Sequence, residues 1–327
     1  MRLRTFIATL LLTVGTTGLA ACGSGGSGGS GPSGEPGEPA KITVGLLSVA
    51  TVAPAYLGKQ EGFFSDEGLD VEFRAVQGGA EAVPMLMSGE IQFSFGNAVS
   101  LAHAQLQGID MELVTEGGQA GTSLEDGTTA IVVSGDSDIK EPEDLAGKTF
   151  GVNQLKGLGE IVIRTALDKR GVDTSDIKFV EIDFPEMNAA LDSGDIDAAF
   201  STEPFTAQAL ASGDRAIMDA VSETAPNLSL SGYFTSTQFA TDNPDIVERF
   251  QRAMNRSLDY AASPEDEART IIPTYTEVPA EVAAKMRLPH WTSELNVDSI
   301  HVLIDQGKKY GLFEGDVDVD AMLWSKG

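Results

Sequence analysis

The stretch Leu86–Asn97 reads LMSGEIQFSFGN, and its pattern returns at Leu191–Phe200 as LDSGDIDAAF. In each copy a helical segment meets Ser-Gly, and an apolar strand follows. Glycine readily adopts the left-handed conformation in which many helices end, so Ser-Gly predicts a helix stop in both places. The first strand then leads into a polar loop at Asn97. The repeat predicts that the chain builds one supersecondary unit twice.

The similarity extends upstream of both copies. Gly62–Phe73 (GFFSDEGLDVEF) matches Gly171–Ile182 (GVDTSDIKFVEI). Predicted strands at Ile42–Leu46 and Thr149–Asn153 precede these segments, and each is followed by a loop and a helix. The matching order of elements predicts two similar α/β lobes rather than a solenoid of many short repeats.

Strands that alternate with helices predict mostly parallel sheets, here an α/β fold of two doubly wound lobes. Thr129–Val133 and Leu228–Thr235 are predicted to cross between the lobes. This assigns residues 41–128 and 233–327 to lobe 1 and residues 129–232 to lobe 2. Three C-terminal helices are predicted to pack back on lobe 1: Pro244–Ala262, Ala280–Met286 and Val297–Tyr310.

The N-terminus has the pattern of a targeting segment. Arg2 and Arg4 precede the apolar run Phe6–Val14, which is too short to span a bilayer, so residues 1–21 are predicted to be a signal peptide. The sequence Leu19–Cys22 resembles a bacterial lipobox, which implies cleavage before Cys22 and a lipid on its sulfur. An ordinary secreted protein with a cysteine beside its cleavage site is the alternative. Cys22 is the only cysteine, which excludes an intramolecular disulfide.

Residues 22–40 complete the predicted anchor. After Cys22 they read GSGGSGGSGPSGEPGEPA, a composition that forms flexible coil and cannot bury apolar surface. We interpret them as a tether between the lipid and the globular part. The chain of 327 residues has a formal net charge of −27, and loss of two arginines with the signal peptide makes this −29. Such a charge disfavours nucleic acid and anionic membrane surfaces as partners.

Motifs of catalysis and cofactor binding are incomplete. Gly147-Lys148-Thr149 lacks the earlier glycine of a phosphate-binding loop, where Pro142 stands. Gly157-Leu158-Gly159 is half of a dinucleotide fingerprint and fits a helix N-terminus whose amides face a ligand. The three histidines show no metal-ligand spacing, and the single, lipidated cysteine excludes a thiol enzyme. The sequence predicts no catalytic residue, metal or cofactor.

Candidate ligand contacts follow the strands, because open α/β sheets bind ligands at the carboxyl ends of their strands. Asparagine both donates and accepts hydrogen bonds, a lysine with helix N-termini suits a mono-anion, and aromatic rings suit a stacked heterocycle. The class of solute stays open at this stage. The candidates are Ser48, Thr51, Gln77, Gly78, Gly79 and Asn97 in lobe 1, Asn153, Lys156, Gly157, Phe184, Glu203 and Phe205 in lobe 2, and Tyr233 at the return crossing.

Four segments together resemble a known family. They read VGLLSVATVAPAYLGKQEGFFSDEGLDVEF, QGGAEAVPMLMSGEIQFSFGN, EPEDLAGKTFGVN and NAALDSGDIDAAFSTEPF. They are similar to the periplasmic solute-binding proteins of ABC importers, in the group that binds alkanesulfonates, taurine, nitrate and thiamine precursors. The resemblance implies a type II periplasmic-binding fold with a hinge of two strands. It also implies a monomer that captures a small organic or anionic solute and delivers it to an ABC permease and its ATPase.

Two other functions fit the same fold, since a fold does not fix a function. One is a ligand sensor for a membrane partner. The other is an enzyme: a relative of pyrimidine synthases would need a cysteine-rich motif that this chain lacks, and an enzyme of the menaquinone pathway is not expected to carry a lipobox.

Overall fold

The computed structural model describes residues 38–263 and 265–326, so the predicted signal peptide and Cys22 lie outside the described residues. Within these ranges ten strands form two five-stranded sheets. The strands are β1 (Ala40–Leu46), β2 (Leu69–Ala75), β3 (Phe93–Gly96), β4 (Met111–Gln119), β5 (Thr129–Val133), β6 (Thr149–Val152), β7 (Lys178–Glu181), β8 (Ala198–Thr202), β9 (Arg215–Met218) and β10 (Ser229–Ser236).

Helices connect the strands and cover both sheets. They are α1 (Ala53–Gln60), α2 (Phe63–Asp66), α3 (Gly79–Met87), α4 (Ala98–Leu106), α5 (Leu158–Lys169), α6 (Phe184–Ser193), α7 (Phe205–Ser212), α8 (Ala220–Thr224), α9 (Thr237–Asp242), α10 (Pro244–Ala261), α11 (Glu265–Ile271), α12 (Ala280–Ala283) and α13 (Val297–Lys309). No helix in the described part of the chain combines the length and apolar character needed to cross a membrane.

The two sheets have the same topology. The first has the strand order β2-β1-β3-β10-β4 and the second β7-β6-β8-β5-β9. In each sheet the first three strands in this order are parallel. The fourth, β10 or β5, comes from the other half of the chain and runs antiparallel to both of its neighbours. The predicted α/β class with two crossing strands is confirmed. Both sheets are mixed rather than mostly parallel, because each accepts a crossing strand.

The duplicated Ser-Gly turns have matching geometry. Gly89 and Gly194 adopt φ angles of 74° and 76°, where a side chain would be strained. Their amides donate to the carbonyls of Leu86 (3.1 Å) and Leu191 (3.1 Å), so each glycine ends its helix in the same way. The predicted repeat is therefore a structural repeat, and it sets the start of the strands β3 and β8.

Two connecting segments, residues 120–128 and 219–228, run side by side between the sheets, and the Ala120 amide donates to the Leu228 carbonyl at 2.9 Å. The sequence predicts that lobe 1 resumes at residue 233. Strand β10 already starts at Ser229, and from that residue on it pairs with β4 of the first sheet. Ala40, which was predicted to end the linker, is instead the first residue of β1 and pairs with Leu69. The remaining lobe boundaries stay a prediction.

The C-terminal helices only partly follow the prediction. Helix α10 packs on α1 and α2 of the first lobe, as expected. Helix α12 ends at Ala283 instead of Met286. Helix α13 contacts α5 as well as α4, because Gly307 lets it approach Ile161 closely; a Cβ at Gly307 would lie 3.1 Å from Ile161 Cδ1. The C-terminal region therefore touches both halves of the molecule.

Candidate functional site

A cavity of about 60 Å³ lies between the two sheets, at the carboxyl ends of the parallel strands. A single water needs roughly 10–15 Å³ of such space, so the cavity has room for a small solute. Both halves of the chain contribute walls. The lining residues are Leu47, Val49, Thr51, Phe95, Gly96, Asn97, Leu230 and Ser231 from the first sheet and its loops, and Thr129, Asn153, Leu158, Phe184, Phe200 and Thr202 from the second.

The lining is neutral. It combines aliphatic and aromatic side chains with hydroxyls and two amides, and none of the lining residues is titratable. The described residues also contain no group of three or more His, Cys, Asp and Glu side chains placed to hold a metal ion. Polar contacts to a ligand would therefore come from uncharged groups and backbone amides.

Each half of the chain offers one amide side chain to the cavity. Asn97 is the N-cap of α4, and its Oδ1 accepts from the amides of Val99 (3.1 Å) and Ser100 (3.2 Å). The cap leaves only the Nδ2 group of Asn97 to serve a ligand. Asn153 follows β6 and is half-buried, and its side-chain amide makes no hydrogen bond to any other described residue. Asn153 is thus the amide whose donor and acceptor are both available.

Contacts between the two halves surround the cavity. On one side Ser100 Oγ lies 3.3 Å from Gln154 Oε1, and His103 Nε2 donates to the Lys156 carbonyl at 2.9 Å. On the other side the Ala50 amide donates to the Glu203 carbonyl at 2.8 Å. These contacts join the lobes at both edges of the cleft.

Glu203 and Arg287 form a second connection. Glu203 is 1% exposed, and its Oε1 accepts from the Arg287 amide at 3.3 Å, with Arg287 Nε 3.6 Å away. The Arg287 guanidinium also donates to the Leu124 carbonyl. Burial raises the pKa of Glu203, and the Arg287 contacts oppose that shift. The side chain of Glu203 is therefore committed to a protein contact beside the cavity.

The sequence profile described as NMT1/THI5 like matches residues 50–268. This chain belongs to the NMT1/THI5-like family. The predicted family is confirmed at this level. The match begins just before α1 and ends in α11, so it contains both connecting segments and every strand except β1.

Relatives in this family include binding proteins and an enzyme. The taurine-binding periplasmic protein of Escherichia coli (strain K12) is 27% identical over 229 residues, covering 68% of this chain and 68% of that protein. The 4-amino-5-hydroxymethyl-2-methylpyrimidine phosphate synthase of Aspergillus parasiticus is 26% identical over 221 residues, covering 64% and 62%. This chain thus spans about two thirds or less of the relatives' length.

A solved structure shares the fold. The alkanesulfonate-binding protein of Xanthomonas axonopodis pv. citri, bound to MOPS, superposes with a TM-score of 0.73 at 19% identity, covering 88% of this chain and 99% of that one. At 19% identity the similarity establishes the fold alone. The shared fold agrees with the two-sheet topology described above.

The structure brings four of the predicted contact residues to the cavity wall: Thr51, Asn97, Asn153 and Phe184. Gly78 is close by, since a Cβ at this position would lie 3.7 Å from Asn153 Nδ2. Phe205 is buried and stacks on Phe184 with ring centroids 6.5 Å apart, so it supports a lining residue from behind. The direct role of these residues in binding stays a prediction.

The other candidates lie away from the wall. Gly79 and Lys156 line a separate groove between α3, α4 and the loop before α5, and a Cβ at Gly79 would collide with Ser100. Gly157 caps α5, Gln77 is exposed and Ser48 is half-buried outside the cavity. Glu203 is committed to the Arg287 contact.

Tyr233 is fully buried in the first lobe, with its ring 5.4 Å from Phe95. Its hydroxyl has no hydrogen-bond partner among the described residues. Burial raises the pKa of Tyr233 far above its ordinary value. The geometry gives Tyr233 a packing role behind Phe95, a lining residue, rather than a place in the wall.

The sequence reasoning missed the strand residues that make half of the wall. Thr129 and Thr202 are direct cross-strand partners in β5 and β8, and Ser231 lies near the start of β10. Because β5 and β10 run antiparallel, their first residues lie at the carboxyl edge of the parallel strands. A search that included the starts of the predicted crossing strands would have found Thr129 and Ser231.

Proposed function

We propose that this chain is an extracytoplasmic solute-binding lipoprotein, which captures a small polar solute between its lobes and delivers it to an ABC importer. The observation that carries the proposal is the cavity whose wall is shared by both sheets. Closing two lobes on a ligand is a common use of such a hinged arrangement. The side-by-side connecting segments at residues 120–128 and 219–228 would act as the hinge.

The neutral lining supports binding over catalysis. Acid–base and nucleophilic mechanisms need titratable or activated nucleophilic groups at the substrate, and none of the residues that line the wall is titratable. The taurine-binding periplasmic relative supports a solute-binding role. A permease and its ATPase are the partners that we propose for this role. The acidic net charge of −27 supports a solute rather than a nucleic acid as the ligand.

The experiment that tests the function is mass spectrometry of any small molecule released from protein purified from its native host. We expect a single compound in nearly equimolar amount to the protein. As a control, protein that has been denatured, washed and refolded should release no such compound. A solute-binding function would be contradicted if no compound is recovered and the protein also binds none of the alkanesulfonates, taurine, nitrate and thiamine precursors.

The lipid anchor is a separate part of the proposal, carried by the sequence Leu19–Cys22. Cys22→Ser removes the sulfur that would hold the lipid, so the protein is expected to leave the membrane fraction or to accumulate with its signal peptide attached. Fractionation and mass measurement of the intact protein check this. Ser24→Ala, two residues beyond Cys22, is the matched control and should fractionate like wild type. A Cys22→Ser protein that still carries lipid would refute the anchor.

The amide side chains give a prediction for ligand affinity. Asn153→Ala removes both a donor and an acceptor from the wall, and an unpaired buried ligand group costs roughly 1–3 kcal/mol, about a tenfold to hundredfold loss in affinity. Calorimetric titration with the co-purified solute checks this. The melting temperature should stay close to that of the wild type, because the side-chain amide of Asn153 makes no hydrogen bond to any other described residue.

Asn97 provides the comparison, because its Oδ1 caps α4. Asn97→Ala should lower stability by about 1 kcal/mol through loss of the cap, whereas Asn97→Asp keeps a capping oxygen and replaces the Nδ2 donor with a charged acceptor oxygen. If Asn153→Ala binds the solute as tightly as wild type, Asn153 is not a ligand contact.

A further inference from the structure

One wall of the cavity joins a hydroxyl to a buried carboxylate. Thr129 lines the cavity, and its Oγ1 donates to Asp219 Oδ1 at 2.6 Å. Asp219 is 1% exposed, and Oδ1 also accepts from the Val221 amide at 3.1 Å. Asp219 Oδ2 has no partner among the described residues. A carboxylate therefore lies directly behind a hydroxyl of the wall.

This bond fixes what Thr129 can offer a ligand. A hydroxyl carries a single proton, and here Asp219 accepts it, so only the lone pairs of Thr129 Oγ1 remain for a group in the cavity. The carboxylate also places negative charge behind the hydroxyl, which strengthens its acceptor character. Thr129 is thus set to receive a hydrogen bond from a ligand donor.

A second hydroxyl in the wall lacks a partner. Ser231 is 8% exposed and lines the cavity, and its Oγ makes no hydrogen bond to any described residue. Buried polar atoms are almost always paired, and leaving one unpaired is costly. The Oγ atom is itself shielded from solvent, so it would reach a solute only after the Ser231 side chain turns toward the cavity.

The charges around the cavity agree with a ligand donor. No lysine, arginine or histidine belongs to the lining, so no cationic side chain balances an anion there. A solute that offers only acceptor atoms can pair with the Nδ2 groups of Asn97 and Asn153, but it leaves the lone pairs of Thr129, with Asp219 behind, without a donor. A protonated amine or an amide N–H would meet the same atoms favourably.

We infer that the site selects solutes that carry an N–H donor, such as an ammonium or amide group, and discriminates against solutes with acceptor atoms alone. The inference rests on the proposed solute-binding function and specifies its ligand class. Thr129 acts as the contact, and Asp219 is a positioning residue that orients the Thr129 proton away from the cavity.

Matched ligand pairs test this by calorimetric titration of the purified protein. Taurine is compared with ethanesulfonate and β-alanine with propionate, because the members of each pair differ only by the amino group. The amino member is expected to bind at least about tenfold more tightly, the lower end of the effect of an unpaired buried group. Equal binding within both pairs overturns the inference. If none of the four binds, the co-purified solute decides it through the Thr129→Val titration described below.

Two substitutions separate recognition from a structural role. Thr129→Val removes the oxygen at constant shape and should abolish the preference within a pair, whereas Thr129→Ser keeps the oxygen and should retain it. A role limited to stability would lower the melting temperature of Thr129→Val and leave the ratio of affinities unchanged, which would also overturn the inference.

The proposed function is judged separately, by the solute that co-purifies with the wild-type protein. A co-purified solute without any N–H group would uphold solute binding and overturn this inference. A solute with an N–H group whose affinity falls about tenfold or more in Thr129→Val would support both.

Discussion

Phe250→Ala is expected to lower the free energy of unfolding by ~3–5 kcal/mol, the usual cost of removing a large aromatic ring from a packed core. Phe250 lies on α10 and is fully buried. Its ring stacks on Phe93 of β3, with centroids 3.8 Å apart and planes at 9°, and Phe64 and Tyr233 lie at 6.0 Å. One ring thus joins the C-terminal half of the chain to the first sheet.

Urea denaturation measures the effect, and two further variants make it specific. Phe250→Leu refills part of the space and should cost clearly less than Phe250→Ala. Arg252 lies on the same helix and pairs with Glu67 at 2.7 Å, but its side chain is 53% exposed. Arg252→Ala should therefore cost about 1 kcal/mol or less.

The contrast decides what holds α10 in place. If Arg252→Ala destabilises the protein as much as Phe250→Ala, the surface ion pairs rather than the aromatic core tie this helix to the first lobe. An equal loss in Phe250→Ala and Phe250→Leu would show that ring stacking, rather than filled volume, is the source of the stability.

The sequence predicted the parts of the fold that depend on local signals. The Ser-Gly pairs at residues 88–89 and 193–194 end helices in matching ways because glycine is needed at a positive φ. The strand Thr129–Val133 has the predicted bounds, since five apolar or β-branched residues in a row are typical of a strand buried on both faces.

Elements that depend on tertiary contacts were missed or misjudged. Strand β9 is a short segment, Arg215–Met218, and is stabilised by pairing with β5 at the edge of the second sheet. Helix α12 stops at Ala283 although helix-forming residues follow, because the chain then turns to bring Arg287 to Glu203. Neither outcome has a signal within its own window of sequence.

The candidate site shows the same division. Polar residues in loops, such as Asn97 and Asn153, are visible in the sequence as positions that follow strands. Apolar wall residues such as Phe200 and Leu230 cannot be told from ordinary core residues in the sequence. They line the cavity only because of the way the two sheets are arranged. Sequence alone therefore finds the polar groups of such a site more readily than its shape.

Glu116 should make the protein less stable as the pH rises from about 4.5 to about 7, and Glu116→Gln should remove that dependence. Glu116 lies in β4, close to the segments that connect the two sheets, and is fully buried. Its Oε2 accepts from Ser229 Oγ at 2.6 Å, and its Oε1 accepts from the amides of Gly117 and Gly118. Burial nevertheless raises the pKa of Glu116 to about 7.

The sign follows from the protons bound in each state. In the unfolded chain Glu116 ionises near its ordinary pKa of 4.5, whereas the folded protein keeps the proton up to about pH 7. Between these values the folded state binds more protons, so the free energy of unfolding falls as the pH rises, by up to about 3 kcal/mol. Below pH 4.5 the contribution is fully present, and above pH 7 it is lost.

Urea denaturation at pH 5, 6, 7 and 8 measures this contribution. Glu116→Gln cannot ionise and keeps an oxygen for the two backbone amides, so the difference between wild type and variant should shift in favour of the variant across this range. Glu72→Gln replaces an exposed glutamate of β2 and should follow the wild-type curve at every pH. A difference between wild type and Glu116→Gln that stays constant from pH 5 to pH 8 would show that Glu116 is already ionised in the folded protein. The three donors around its carboxylate would then be sufficient to hold the charge beside the segments that connect the two sheets.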